Sequence, residues 1–281
     1  MKKVFISCIC IFIGGFFLAG CDAGNSVSEG VKPKIVVLSP EIAEIISALG
    51  GEKNIVALTN ECDFPSSLQK KPKVGSFSSP NIEAIVSLEP DIVFVSALEQ
   101  EIVRNNLKKL GLTVYQFYPQ SIEELLNVIK EIGNLIGKSK EAEVLIQEFR
   151  TTLSTIAKPV KTPKVYVEIY NNPLMTVSSN SFIGDLIHKS GGKNIFPELP
   201  REYCRVTPES VVARDPDIII VTYPGITKKD IMQRAGWEQI GAVQNGRIYT
   251  QEDFDMELIV RAGPRSIHGI RILSQIFQDY K

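Results

Sequence analysis

The scarce reactive side chains of this 281-residue chain are two histidines, at 188 and 268, and five cysteines. Two imidazoles cannot build a three-histidine zinc site, and no His-Glu-x-x-His pair occurs. His188 falls in an amphipathic stretch from Phe182 to Lys189 and His268 in the last helical stretch, where both read as structural or exposed side chains. The Gly-x-Ser-x-Gly turn that presents a hydrolase serine is absent. Gly133 to Ser139 resembles a phosphate-binding loop but has three residues between its glycines where four are needed. It also follows a helical stretch rather than a strand. Ser121 and Glu124 are spaced as a capping box opening that helix, and Gly137 reads as its stop. Carboxylates such as Glu61 and Asp253 could form an acid–base pair, but nothing in their spacing brings them together. The residues point to no catalytic site, no resident metal and no intrinsic cofactor.

Three of the cysteines, Cys8, Cys10 and Cys21, crowd the amino end. Lys2 and Lys3 precede an uncharged apolar run from Val4 to Phe17, shorter than the roughly 20 residues a spanning helix needs. The run fits the core of a secretory signal. It ends in Leu18-Ala19-Gly20-Cys21, which resembles a bacterial lipobox. Residues 1–20 are therefore expected to be a lipoprotein signal, Cys21 the lipidated residue and 21–33 a flexible tether rich in Ser, Gly and Asn. The body would be exported and held by lipid on the outer face of the cytoplasmic membrane, the periplasmic side in a diderm. Cys62 and Cys204 remain, one in each half of the body and each in a loop, and are expected to be free thiols. A formal charge of −1 with 44% hydrophobic residues gives no reason to expect a nucleic-acid partner or disorder.

The elements that must position any site alternate from Lys34 onward. Ile35 to Leu38 reads as a buried strand, and Ser39-Pro40 opens a helix as N-cap and first helical residue. Ile55 to Thr59, Ile92 to Ser96 and Thr113 to Phe117 are further strands. Alternation of this kind implies parallel sheets covered by helices. The segment Glu83 to Val95 recurs 126 positions later as Glu209 to Val221, without a gap. Gly50-Gly51-Glu-Lys-Asn54-Ile55 is likewise echoed by Gly191-Gly192-Lys-Asn194-Ile195. The repeat predicts two related α/β lobes, over 34–137 and 159–281. Ala142, Leu145, Phe149, Leu153 and Ile156 mark an apolar stripe on one helix over 138–158 that joins them.

The body, from about Lys34 to Phe277, resembles the substrate-binding proteins of ABC importers for vitamin B12, ferric siderophores and haem. The resemblance rests on Ser39-Pro40, Cys62-Asp63-Phe64-Pro65, Lys73 to Phe77, Asn81-Ile82-Glu83, Gly191 to Ile195, Thr207-Pro208-Glu209, Gly236-Trp237 and Arg261 to Arg265. It implies two Rossmann-like lobes with a ligand cleft between them. The cleft is expected from loops at the strand ends: Asn60, Glu61, Asp63, Phe64, Phe77 and Ser96 on one side. On the other side stand Tyr170, Asn171, Met175, Tyr203, Tyr223, Asp253, Phe254 and Arg261. Phe77 and Tyr203 match cleft aromatics of B12-binding relatives, whereas Trp237 matches a structural tryptophan. The resemblance also implies docking of Glu83 and Glu209 onto permease arginines, with a cytoplasmic ATPase supplying energy and the binding protein acting as a monomer. The segments around Cys62 and Lys73 are most like B12-type members, although no tryptophan occurs in the expected cleft loops. A basic pocket of Arg201, Arg205 and Arg261 would suit a ferric siderophore, and Tyr170 or Tyr203 could ligate haem iron. An extracytoplasmic enzyme and a signalling receptor are alternatives on the same fold.

Overall fold

Apolar β-branched runs form the strands, and small polar residues cap the helices that follow them. The computed structural model describes residues 33–96 and 100–280. The first half contains β1 (Ile35–Val37), α1 (Pro40–Ala48), β2 (Ile55–Leu58), α2 (Ile82–Ser87), β3 (Ile92–Val95), α3 (Glu101–Lys109), β4 (Val114–Gln116) and α4 (Ile122–Leu135). α5 (Ser139–Thr155) then leads to β5 (Lys164–Asn171), β6 (Leu174–Val177), α6 (Phe182–Lys189), β7 (Lys193–Asn194), β8 (Tyr203–Arg205) and α7 (Pro208–Arg214). The chain closes with β9 (Ile218–Val221), α8 (Lys228–Met232), α9 (Gly241–Gln244), β10 (Ile248–Tyr249), α10 (Glu257–Val260) and α11 (Ser266–Gln278).

The first sheet is fully parallel, in the order β2-β1-β3-β4. In the second, β10, β9, β5 and β7 run parallel, while β6 and β8 add an antiparallel edge. The central strands are parallel as expected, and the antiparallel edge is an addition to them. Only Asn172 and Pro173 separate β5 from β6, too few residues for the crossover that parallel pairing requires. Cys204 accordingly lies in a strand, β8, and not in a loop.

Residues of the central strands alternate between two buried faces. Val36, Val93 and Val95 pack into one cluster with Ile85 and Leu107 from α2 and α3. On the second sheet Tyr166, Ile219 and Val221 pack around the buried Trp237. The opposite faces of both sheets share a third cluster, which joins Ile35, Val37 and Phe94 to Val165, Val167, Ile218 and Ile220. Phe149 of α5 and Leu273 of α11 are buried in it. α5 is 17 residues long, or about 25 Å, and packs against α4 and α11.

The internal repeat is structural. α2–β3 and α7–β9 are the repeated units. The non-glycine residues with positive φ among those described, Glu89 (48°) and Asp215 (45°), stand 126 positions apart at the same point in each copy. Two residues later, the Asp91 carboxylate accepts the Lys34 N–H at 2.7 Å, and that of Asp217 accepts the Lys164 N–H at 2.7 Å. Each aspartate thus pins the start of the neighbouring central strand. Gly50 and Gly191 share a left-handed cap, at φ 71° and 97°, and Gly51 and Gly192 donate back to Ile46 and Ile187.

Candidate ligand-binding cleft

Four loops leave the carboxyl ends of the first sheet and converge on one cavity of about 540 Å³. After β1, the Ser39 side chain accepts the Ile42 N–H, starting α1 and placing Pro40 and Glu41 on the cavity wall. The loop after β2 supplies Glu61, whose carboxylate accepts the Phe77 N–H at 2.8 Å and holds that aromatic residue at the wall. Ser96 directly follows β3 and donates its hydroxyl to Glu41. Tyr118 and Pro119 follow β4. Gln100, fully buried, ties these loops together. Its amide donates to the carbonyls of Leu38 (2.8 Å) and Phe77 (3.0 Å) and accepts the Ser96 N–H (2.8 Å).

The second lobe closes the cavity with Phe182 at the start of α6, Glu202 and Tyr203 before and within β8, and Val260 to Ala262 from the end of α10 onward. Two polar groups of contacts cross between the lobes beside it. At one, the Tyr118 hydroxyl and the Gln120 amide each donate to Glu202, both at 2.6 Å. Burial, followed by the nearby Glu202 carboxylate, pushes the Tyr118 phenol well above its ordinary range and keeps it a donor.

At the other crossing, the buried Glu44 of α1 accepts two hydrogen bonds from Arg265, both at 2.8 Å, and one from Arg261 at 3.0 Å. Arg261 also binds Asp63 at 2.8 Å and pairs with Glu257. Partial burial raises the Asp63 carboxyl, but the Arg261 hydrogen bond and charge outweigh it and hold the group below the usual range.

Of the residues expected in the cleft, Glu61, Phe77, Ser96, Tyr203 and Arg261 line this cavity. Asp63 stands behind Arg261, and Phe64 lies under the Arg265 guanidinium, 4.1 Å from ring centroid to charge. Asn60 sits beside Glu61 and donates its backbone N–H to Gly75. Tyr170 and Tyr223 form an edge-to-face pair with each other. The Tyr223 hydroxyl is bound to Glu168, a fully buried carboxylate that Arg234 grips at 2.6 and 2.7 Å. Asn171 and Met175 form part of the β5–β6 hairpin, Asp253 pairs with Lys228, and Phe254 packs on the shared core. These side chains are absent from the cavity lining: Asp63 and Phe64 are engaged by arginines of the other lobe, and Tyr223, Asp253 and Phe254 by partners in their own.

Arg201 and Arg205 are exposed and also off the lining, so the three arginines form no common pocket. His188 lines a separate hollow with Asp185. Glu41, Tyr118, Phe182 and Glu202 escaped the sequence reading. The strand-end rule that selected Ser96 applies equally to Glu41 and Tyr118, and Ser181-Phe182 repeats the cap-and-first-residue arrangement of Ser39-Pro40.

Glu83 and Glu209 occupy equivalent positions in the first turns of α2 and α7, after side-chain caps from Asn81 and Thr207. Both are exposed, and among the described residues neither forms an ion pair. Its own backbone N–H and then the Thr207 hydroxyl hold the Glu209 carboxyl below the usual range. Each helix returns the chain towards the start of a central strand, so its first turn lies towards the sheet edge where the cleft loops emerge. Cys62 and Cys204 are free, and Cys62 is fully buried, with its thiol near Thr59. Cys21 lies outside the described residues.

Two α/β lobes with a partly aromatic cavity at their junction define a bilobed binding protein. Residues 35–253 match the periplasmic binding protein family, and the chain belongs to that family. It is 31% identical, over 92% of this chain and 85% of the relative, to an uncharacterised ABC transporter substrate-binding lipoprotein of Bacillus subtilis. Identity to a vitamin B12-binding protein of Vibrio parahaemolyticus is 23%, over 97% and 98% of the two chains. A solved possible iron-binding, periplasmic solute-binding protein of Staphylococcus epidermidis shares the fold with a TM-score of 0.75 and 28% identity. That match covers 88% of this chain and 99% of the other.

Proposed function

We propose that this chain is the lipid-anchored, extracytoplasmic substrate-binding protein of an ABC importer. It captures a metal chelate in the cavity between its lobes and delivers it to the permease. Cys21 carries the lipid, residues 1–20 are removed as a signal, and 21–33 tether a monomeric body to the outer face of the cytoplasmic membrane. The body divides into lobes over 34–137 and 159–281, joined through 138–158. Glu83 and Glu209 dock onto permease arginines, since charge-assisted carboxylate–guanidinium bonds suit reversible, oriented contact. Binding and delivery need no chemistry in this chain, and the permease's ATPase supplies the energy.

The observation that carries the reading is the cavity itself. Its wall presents Phe77, Tyr118, Phe182 and Tyr203, aromatic surface suited to a large flat ligand, with a few polar groups to orient it. A corrinoid is the proposed ligand, in keeping with the vitamin B12-binding relative. Titration of the detergent-solubilised full chain with cyanocobalamin, a ferric siderophore and haemin tests this. Saturable corrinoid binding at one site per chain is expected. Binding of none of the three would overturn the chelate reading, and turnover of any of them would establish an enzyme.

A further inference from the structure

We propose that the cleft selects its chelate by charge. Glu41, Glu61 and Glu202 make it a site for a neutral or cationic chelate rich in hydrogen-bond donors, and one that rejects anionic chelates. The proposal rests on the cavity being the chelate site.

Among the described residues, three glutamates and a single arginine, Arg261, line the cavity. That cation is already engaged, because Glu44, Asp63 and Glu257 all contact it. Arg261 therefore adds no uncompensated positive charge to the wall. Arg201 and Arg205, which could have supplied some, stand exposed away from the lining. At the helix ends nearby, Ser39 and Ser181 each take one first-turn N–H, of Ile42 and Gly184. An anion entering the cleft would meet three like charges and, among the described residues, one arginine already paired, a repulsive arrangement that discriminates against the wrong ligand.

The same carboxylates can accept more hydrogen bonds than they now receive. Glu61 takes one from the Phe77 N–H, and Glu41 takes one from Ser96. Glu202 takes one on each oxygen, from Tyr118 and Gln120. A carboxylate offers about four acceptor sites, so amide N–H groups on a ligand's rim would find partners on both lobes at once. Glu202, on the second lobe but bound to the first, is the member best placed to report ligand entry to both.

The test compares two pairs of probes on the full chain in detergent. One pair has a common macrocycle, cyanocobinamide with its amide rim against the heptacarboxylate of the same corrin. The other pair is ferric trihydroxamate with a free ammonium arm against a ferric tris-catecholate trianion. The wild type is expected to prefer the neutral or cationic member of a pair by about tenfold or more. Glu61→Gln/Glu202→Gln should shrink that preference several-fold, and added salt should shrink it in the wild type, which guards against a variant that fails to fold. Preference for an anionic member would overturn charge selection and leave the import reading intact. So would a preference that neither the variant nor salt reduces. Failure to bind any of the four probes would overturn the chelate reading as well.

Discussion

Cys62 shows how burial alone sets the chemistry of a side chain. Desolvation pushes its thiol up from 9.0 to about 11, against smaller opposing effects of Thr59 and Lys73. Folding therefore favours the protonated thiol, and its contribution is complete below pH 9 and is lost as pH rises towards 11. That contribution is up to about 2–3 kcal/mol. Denaturant unfolding at pH 8 and pH 11 should show a larger loss for the wild type than for Cys62→Ala. Equal losses would mean that the thiol ionises as freely in the fold as in the unfolded chain. In the cleft, Phe77 and Tyr203 were legible in the sequence because their types and neighbouring motifs marked them. Gln100 was not, since its role depends on three loops meeting around one amide, and no spacing in the chain records that meeting.

At the scale of elements, caps and repeats were the readable part. Ser39 and Ser121 cap the helices their positions predicted, and Asn81 and Thr207 cap α2 and α7 in the same way. The box at Ser121 is only half formed, because Glu124 accepts the Gln120 N–H rather than that of Ser121. The Pro-Asp repeat was visible as letters, but its work became visible only in three dimensions, where Asp91 and Asp217 hold Lys34 and Lys164. Asp91→Ala and Asp217→Ala are each expected to cost about 1 kcal/mol in chemical denaturation. Markedly different costs would count against equivalent roles. The packing of α11 on α10 left no mark that periodicity could reveal. An added Cβ at Gly269 would come 2.2 Å from the Leu258 carbonyl oxygen. Gly269→Ala should therefore destabilise by about 1–3 kcal/mol, measured the same way.

Among the described residues, one apolar cluster, the two polar crossings beside the cleft and a hydrogen bond from the Ile122 N–H to Asp185 at 2.9 Å join the lobes, and these set how far the cleft can open. A core shared between both sheets, with α5 along it, favours small adjustments over a wide hinge. Glu44 is the buried partner of both Arg261 and Arg265, so Glu44→Ala should cost about 3 kcal/mol in unfolding free energy by leaving them short of a counter-charge. The outer face makes a separate prediction. Glu83→Ala/Glu209→Ala should abolish chelate import in cells while leaving affinity unchanged, and unimpaired import would remove the docking role. The two-lobe plan was legible because a gapless repeat announced it, whereas the antiparallel edge and the neutralisation of Arg261 depend on contacts between distant segments. Calorimetric titration with cyanocobalamin tests the central claim, capture of a chelate between the lobes, most directly when the wild type is compared with Phe77→Ala/Tyr203→Ala. One-to-one binding that weakens about tenfold or more in the variant is the predicted result. No heat of binding in the wild type, or equal affinity in both proteins, would contradict it.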